Sequence, residues 1–204
     1  MTVRQVINLA KSSELSGLNV ANNDSYVLDY INLGMLELHK RFPIKIEEYL
    51  IELVDGTDIY TMPADFMWVV AAYGEVPITS TDSVNVLPIN EEDNPLSINT
   101  VGWNKLQVPL SVTGAYISII YVASPTMYTL DDVDNEMDIP PQLLEPLLAY
   151  VGYKANASID SGVQSEDSMW YIRFENSCNK IEQRSMLNSD DMFMNKRIDT
   201  RGFV

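Results

Sequence analysis

The stretch Ala115-Tyr116-Ile117-Ser118-Ile119-Ile120-Tyr121-Val122 decides the fold of this chain. It is dominated by β-branched and aromatic residues, which favour a strand over a helix. A similar composition, interrupted by turn-forming residues, recurs upstream in residues 48–54, 59–62, 68–74 and 105–108. Residues 77–104 are rich in Pro, Ser, Asn and Thr, which indicates loops with short strands. The middle of the chain therefore predicts a domain of antiparallel strands.

A tight turn lies between the first two predicted strands. Asp55-Gly56 separates residues 48–54 from residues 59–62, and Asp-Gly is a common pair in two-residue turns. We therefore predict that these two strands pair with each other as a β-hairpin.

Apolar residues at both ends of the chain have helical spacing instead. They predict one helix over residues 3–15 and a second helix that begins after the capping residues 22–25 and ends before Pro43. Nearer the C-terminus, a third helix is predicted to begin at Pro140 and a fourth to begin near Ser165.

Together these elements predict an α+β protein. Residues 1–45 and 140–187 are expected to form a helical bundle, into which residues 46–139 are inserted as an acidic antiparallel β domain. Residues 188–204 lack periodicity and are expected to form an extended C-terminal arm.

Negative charge is concentrated in the predicted β domain. Residues 46–139 hold sixteen acidic residues and one basic residue, Lys105, which is a net charge of −15 out of −16 for the chain. Such a field repels nucleic acid phosphates and anionic lipids, so we expect no specific binding to DNA. No uncharged apolar run approaches the roughly 20 residues of a membrane span, so we expect no membrane contact.

Few residues in the chain are suited to catalysis or to metal binding. His39 is the only histidine and Cys178 is the only cysteine, which disfavours a nucleophile triad and a zinc site. No phosphate-binding Gly-Lys-Ser/Thr motif is present. We therefore predict no enzyme activity, no catalytic residue and no cofactor. A pair of catalytic carboxylates without a recognisable motif is the enzyme alternative that the sequence leaves open.

An acidic loop occupies residues 131–138, at the end of the predicted β domain. Its spacing resembles the first half of a calcium loop, but Met137 stands where a glycine is needed and Leu143 stands where a glutamate should chelate. We therefore predict no metal site here. The loop is interpreted as a solvated or channel-lining surface formed by Asp131, Asp132, Asp134, Glu136 and Asp138.

The predicted C-terminal arm combines large apolar residues with basic ones, although it has no periodicity. A solvated end of a chain does not need such residues, so we interpret the arm as a segment that becomes ordered on a partner protein; docking on its own domain and simple disorder are the alternatives. Its predicted interface residues are Met192, Phe193, Met194, Lys196, Arg197, Arg201 and Phe203.

Two motifs resemble those of a known protein family. One is the turn Tyr60-x-x-Pro63-x-Asp65-Phe66, and the other begins at Ile139-Pro140 and continues into Tyr150-Val151-x-Tyr153-Lys154-Ala155. With helical ends around a β middle, they resemble the head-to-tail adaptor (connector ring) proteins of tailed bacteriophages, especially those of short-tailed and crAss-like phages.

The resemblance implies a structural virion protein of the head–tail junction that is assembled in the host cytoplasm. It implies a ring of about twelve copies below the portal protein, with DNA passing through the centre during genome ejection. The implied partners are further copies of this chain, the portal protein, and a tail protein or second ring protein. The arm at residues 188–204 would then contact the portal.

Two other functions also fit the sequence. One is a different neck or tail-completion protein of the virion, which would differ in copy number and location. The other is an acidic DNA mimic that occupies a basic nucleic-acid-binding site, to which the concentrated negative charge is suited. Inhibition of a DNA-binding protein at low salt would favour the mimic.

Overall fold

Helices and antiparallel strands form two units in the computed structural model of the protein. The structure describes residues 1–75, 85–112, 115–157 and 169–184. The helical unit is Met1–Ile44 with Pro125–Val204, and the β unit is Lys45–Ser124. The predicted α+β fold class is confirmed. The predicted C-terminal arm lies outside the described residues.

The described part of the helical unit contains four α-helices: α1 (Val3–Ser12), α2 (Asp24–Arg41), α3 (Leu144–Ala157) and α4 (Met169–Gln183). Thr2 begins α1 with a capping box, and Asn23 caps the N–H groups of the first turn of α2. Phe42 ends α2 directly before Pro43, as the sequence predicts. None of the helices in the described ranges is long and apolar enough to cross a membrane.

Proline residues shape the start of α3. A short 3-10 turn, Pro141–Leu143, leads into the helix. Pro146 lies in the first turn of α3, where backbone N–H groups have no acceptor within the helix. The N–H that proline lacks therefore costs the helix no hydrogen bond. The predicted start of this helix at Pro140 is therefore a 3-10 turn that becomes α-helical at Leu144.

Close contact between the helices depends on two glycine residues. A Cβ atom at Gly34 of α2 would lie 2.6 Å from Cδ1 of Leu147 in α3, and a Cβ atom at Gly152 of α3 would lie 2.9 Å from the ring of Trp170 in α4. Glycine therefore sets the spacing of both helix pairs. The buried core around them includes Val6, Ile31, Leu38, Leu147, Val151 and Phe174.

The described residues of the β unit form two antiparallel sheets. The four-stranded sheet has the order β1 (Ile46–Glu52), β7 (Tyr116–Ala123), β3 (Phe66–Glu75) and β4 (Asn85–Leu87). The three-stranded sheet has the order β2 (Ile59–Thr61), β6 (Lys105–Gln107) and β5 (Asn99–Gly102). The sequence predicts β7 as the strongest strand, and it lies between two others with Ile117, Ile119 and Tyr121 buried.

The predicted hairpin between residues 48–54 and 59–62 is wrong. β1 pairs with β7 along its whole length, from Ile46↔Val122 to Glu52↔Tyr116, whereas β2 pairs with β6 in the other sheet. The long buried strand β7 offers β1 many more cross-strand contacts than the three-residue β2 could offer. Gly56, with φ of 78°, turns the chain from one sheet to the other.

The β unit ends at Ser124 rather than at residue 139, where the sequence predicts the boundary. Residues 125–139 belong to the helical unit because they contribute Tyr128 and Met137 to its core. The negative charge is therefore divided, with eleven acidic residues in the β unit and the five of the acidic loop in the helical unit.

Candidate functional site

The acidic loop is bound to the start of α1 by backbone hydrogen bonds. The Val3 N–H donates to the Asn135 carbonyl at 3.0 Å, and the Arg4 N–H donates to the Val133 carbonyl at 2.8 Å. Met137 inserts its side chain into the core of the helical unit. The loop is therefore fixed to the helical unit with one buried side chain, that of Met137, and its interpretation as a solvated or channel-lining surface stays a prediction.

Two of the five acidic side chains hold the loop in shape. Asp134 accepts two hydrogen bonds from the Arg4 guanidinium, at 2.8 and 3.3 Å, and these hold the pKa of Asp134 below its usual range. Asp132 accepts hydrogen bonds from the hydroxyl of Thr129 at 2.6 Å and from its N–H at 2.9 Å, which likewise lower the pKa of Asp132. Both carboxylates are therefore charged at neutral pH and serve the loop itself.

The other three carboxylates face solvent. Asp131, Glu136 and Asp138 are exposed, and none of the ion pairs in the described part of the chain includes them. They lie within eight residues of one backbone-anchored loop, so they present negative charge to whatever approaches this surface. The chemistry of such a surface is repulsion of anions and attraction of cations.

The geometry of the loop does not resemble a calcium site. Asp132 is engaged by Thr129 and Asp134 by Arg4, so these carboxylates are directed to different partners. Within the residues that the structure describes, no three His, Cys, Asp or Glu side chains are grouped so that they could hold a metal ion.

The two residues considered for catalysis lie in the core. His39 occupies the last turn of α2 and is 2% exposed. Cys178 in α4 is fully buried, and burial raises the pKa of its thiol to about 12. A thiol in that state is a packing group and not a nucleophile.

Sequence reasoning missed the residues that attach the segment before the loop. Asn32 of α2 donates from Nδ2 to the Tyr128 carbonyl at 2.9 Å and accepts the Tyr128 N–H at 3.0 Å. The Tyr128 hydroxyl accepts the N–H of Asp138 at 2.8 Å. The single hint in the sequence was an asparagine inside a helix, where it is intrinsically unfavourable.

The motif around Pro63 holds the β unit together. The Phe66 N–H donates to the Pro63 carbonyl at 3.1 Å, and the Phe66 ring centroid lies 5.7 Å from that of Tyr121. The Tyr121 hydroxyl donates to Asp65 at 3.2 Å, and Lys45 lies 3.7 Å from the same carboxylate. Burial, followed by the charge of Asp65, raises the pKa of Tyr121. The motif therefore has a structural role.

The second motif joins α3 to α4 through aromatic rings. The Tyr150 and Phe174 rings meet edge to face with centroids 5.2 Å apart, and Tyr153 and Tyr171 are also 5.2 Å apart. Lys154 places Nζ 5.0 Å from the Tyr153 ring centroid, which is a cation–π distance. Both motifs that carry the family resemblance are thus parts of the fold.

Arg41 links the end of α2 to three residues of α4. Its guanidinium donates to both oxygens of Glu182, at 2.6 and 3.2 Å, to Glu175 at 2.8 Å and to Asn179 at 2.7 Å. These contacts hold the pKa of Glu182 below its usual value of 4.5. The contact is a charge-assisted network and not a single surface pair.

Replacing Arg41 with alanine is expected to lower the free energy of unfolding by about 1–2 kcal/mol at pH 7. Glu182 has a lowered pKa in the folded state, so its contribution is present above pH 4.5 and is lost as the pH falls through the folded value. The difference between wild type and variant in urea unfolding should therefore shrink as the pH is lowered below 4.5.

Lys40 provides the matched control for this prediction. Its ion pair with Glu37 is exposed and lies within one helix, so Lys40→Ala should change the free energy of unfolding by less than about 0.5 kcal/mol. An Arg41 variant as stable as the Lys40 variant at pH 7 would show that the Arg41 network does not hold α4 against the end of α2.

The predicted partner interface lies outside the described residues. This statement applies to Met192, Phe193, Met194, Lys196, Arg197, Arg201 and Phe203. Their role therefore stays a prediction.

Comparisons with known proteins identify a family and similar solved structures. The model of a family described as SU10 adaptor protein matches residues 1–195. No curated protein matches the chain. Among the matching solved structures is a chain from the neck of an empty GTA particle computed with C6 symmetry; it is 12% identical, with 84% of this chain and 87% of that chain covered and a TM-score of 0.32.

Proposed function

We propose a specific role for this chain on the premise that it belongs to the SU10 adaptor protein family, a family of structural head–tail adaptors of bacteriophage virions. The proposed role is a ring of about twelve copies that joins the portal protein to the tail and lets DNA pass through its centre. The partners are other copies of this chain, the portal, and a tail protein or second ring protein.

The extent of the family match is the observation that carries this proposal. Residues 1–195 include the first segment of the helical unit, most of its second segment and the whole of the β unit. The match therefore extends over both units and is not confined to a common β-sheet pattern.

The charge of the chain supports the passage of DNA without binding. The β unit holds eleven acidic residues against Lys45 and Lys105, and the acidic loop adds three solvent-facing carboxylates in the helical unit. Repeated around a ring, such surfaces would offer phosphates no cationic site on which to pause. We place Asp131, Glu136 and Asp138 at the channel.

Immunogold labelling of phage particles tests the proposed location. Antibody to this chain should place gold at one head vertex or at the neck. Particles that remain without gold, whether intact or opened, would contradict the virion location. Labelling elsewhere on the particle would favour a different virion protein instead.

Replacing Asp131, Glu136 and Asp138 together with lysine is expected to slow genome ejection, on the order of tenfold, because cations in the channel bind phosphates. The bonds of Arg4 to Asp134 and of Thr129 to Asp132 are left in place, so the loop should keep its conformation. The measurement is the rate of DNA release from purified particles.

Neutral substitutions at the same positions are the control for that prediction. Asp131→Asn, Glu136→Gln and Asp138→Asn remove the negative charges without adding cations, so ejection should be slowed less than by lysine. If the lysine particles assemble fully and eject at the wild-type rate, the loop does not line the channel.

Deleting residues 188–204 is expected to leave a folded protein that no longer binds the portal. The core clusters of the described residues end at Ile181, so the deletion removes none of their members. Circular dichroism checks the fold, and co-purification with portal protein checks binding. Substituting only Lys196, Arg197 and Arg201 with serine separates the basic from the apolar contribution. Full portal binding by the truncated protein would refute the role of the arm.

A further inference from the structure

An open groove lies at one end of the three-stranded sheet. It has a volume of about 400 Å³ and lies between the turn at residues 53–57 and the segment at residues 108–112. Val54 and Leu110 are 58% and 68% exposed, although both belong to its lining. Tyr60 holds the wall in place, because its hydroxyl accepts the Val54 N–H and donates to the Thr57 carbonyl, each at 3.0 Å.

A tryptophan projects at the other end of the same sheet. Trp103 lies in the turn between β5 and β6 and is 72% exposed. The turn is fixed on both sides, since the Met62 N–H donates to the Asn104 carbonyl at 2.8 Å and the Lys105 side chain packs over Gly102. An exposed tryptophan on a fixed turn is the kind of residue that anchors protein interfaces.

The strand register places the two features at opposite ends. At one end of the β2–β6 pair, Ile59 pairs with Gln107, and the groove residues 53–57 and 108–112 lie just outside this end. At the other end, Thr61 pairs with Lys105, next to the Trp103 turn. Because the Trp103 turn and the groove lie at opposite ends of one sheet, a contact between the turn of one copy and the groove of the next would join copies head to tail. Such heterologous contacts close into a ring when the rotation between copies allows it.

Charge favours the same pairing of ends. Lys105 is the single basic residue among residues 46–139, and it lies beside the Trp103 turn. Asp55 lines the groove and is exposed. Two copies of the acidic β unit repel each other over most of their surfaces. A contact between the Trp103 turn and the groove would instead bring Lys105 of one copy near Asp55 of the other.

We propose that Trp103 of one copy docks into the groove of a neighbouring copy, with Lys105 facing Asp55. This inference rests on the proposed ring and names one contact that builds it. The groove is large enough for one indole ring, and its lining combines apolar side chains such as Leu53, Val108 and Leu110, which can bury the ring, with the polar Asp55 and Thr57. The interface is heterologous, so each copy uses its turn on one side and its groove on the other.

Chemical cross-linking in assembled particles tests the contact directly. The variant Asn104→Cys with Leu110→Cys, treated with a short bifunctional maleimide, should give a ladder of covalent multimers. Each single variant should give no multimers. Cys178 stays unreactive because it is fully buried.

Three results of the cross-linking would overturn the inference. Dimers from Asn104→Cys alone would mean that two turns meet each other. A covalent product with the portal or a tail protein would mean that another partner occupies the groove. Gold-labelled particles that give no covalent multimer would contradict the proposed contact but not the adaptor function. Particles that lack the chain would contradict the adaptor function itself.

Substitutions give an independent test that does not rely on cysteine chemistry. Trp103→Ala should weaken the contact between copies about 30-fold, as loss of an interface anchor does, and so lower the number of copies per particle. Val86→Ala is the control, because Val86 is 70% exposed on β4 of the other sheet. Lys105→Asp and Asp55→Lys should each lower incorporation about fivefold, and the double variant should restore it. A wild-type copy number for Trp103→Ala, or a double variant no better than the single ones, would contradict the proposal.

Discussion

Leucine in place of Gly34 is expected to lower the free energy of unfolding by about 3 kcal/mol. A Cβ atom at this position would lie 2.6 Å from Cδ1 of Leu147 and 3.2 Å from Cδ1 of Tyr150. Both neighbours are buried in the helical core, so neither can move into solvent. The larger side chain must therefore push α2 and α3 apart, and the loss is a large part of the 5–15 kcal/mol that stabilises a typical domain.

Urea unfolding followed by circular dichroism measures this effect. Gly34→Ala should change stability much less, because alanine gains up to about 1 kcal/mol of helix propensity and displaces only the end of the Leu147 side chain. Leu33→Ala is the positional control, since Leu33 is adjacent and exposed. A leucine variant with an unchanged unfolding midpoint would mean that α2 and α3 are not in close contact at this point.

Alanine in place of Phe174 is expected to cost about 3–5 kcal/mol. Phe174 is 2% exposed, and its ring contacts Tyr150 of α3 and Tyr171 of its own helix. Removal of the ring leaves a cavity between α3 and α4 and also removes an edge-to-face pair. The cavity is lined by aromatic rings that cannot collapse into it without losing their other contacts.

The same unfolding measurement separates cavity formation from a general effect of substitution in α4. Phe174→Leu fills most of the volume and should cost about 1–1.5 kcal/mol. Ile172→Ala removes an apolar side chain from the exposed side of α4 and should cost less than about 1 kcal/mol. Equal stability of Phe174→Ala and Ile172→Ala would show that the aromatic cluster does not hold α3 against α4.

Local signals in the sequence were sufficient for the helices and for the central strand. The apolar stripe of α2, its Asn23 cap and the Pro43 stop act within a few residues of each other, so they fix the helix wherever the rest of the chain lies. The β-branched and aromatic composition of β7 identified it as a strand in the same way. Charge and the scarcity of histidine and cysteine favoured a structural role.

Pairing between distant segments was decided by the tertiary structure. Asp55-Gly56 is a true turn, but β1 gains more buried contact from β7 than a hairpin with β2 would give. Residues 125–139 join the helical unit through Tyr128 and Asn32, which are 96 positions apart in the chain. No local pattern encodes either choice.

For the acidic loop and for the Trp103 turn, the sequence determined the composition and the tertiary structure determined the arrangement. The sequence by itself determined that residues 131–138 are acidic and that Trp103 lies among turn-forming residues. Only the tertiary structure decided which carboxylates are engaged by Arg4 and Thr129, and which end of a sheet carries the tryptophan. The physical reason is that composition and spacing act over one or two turns of chain, whereas burial and strand register depend on contacts that form only once the whole unit has folded.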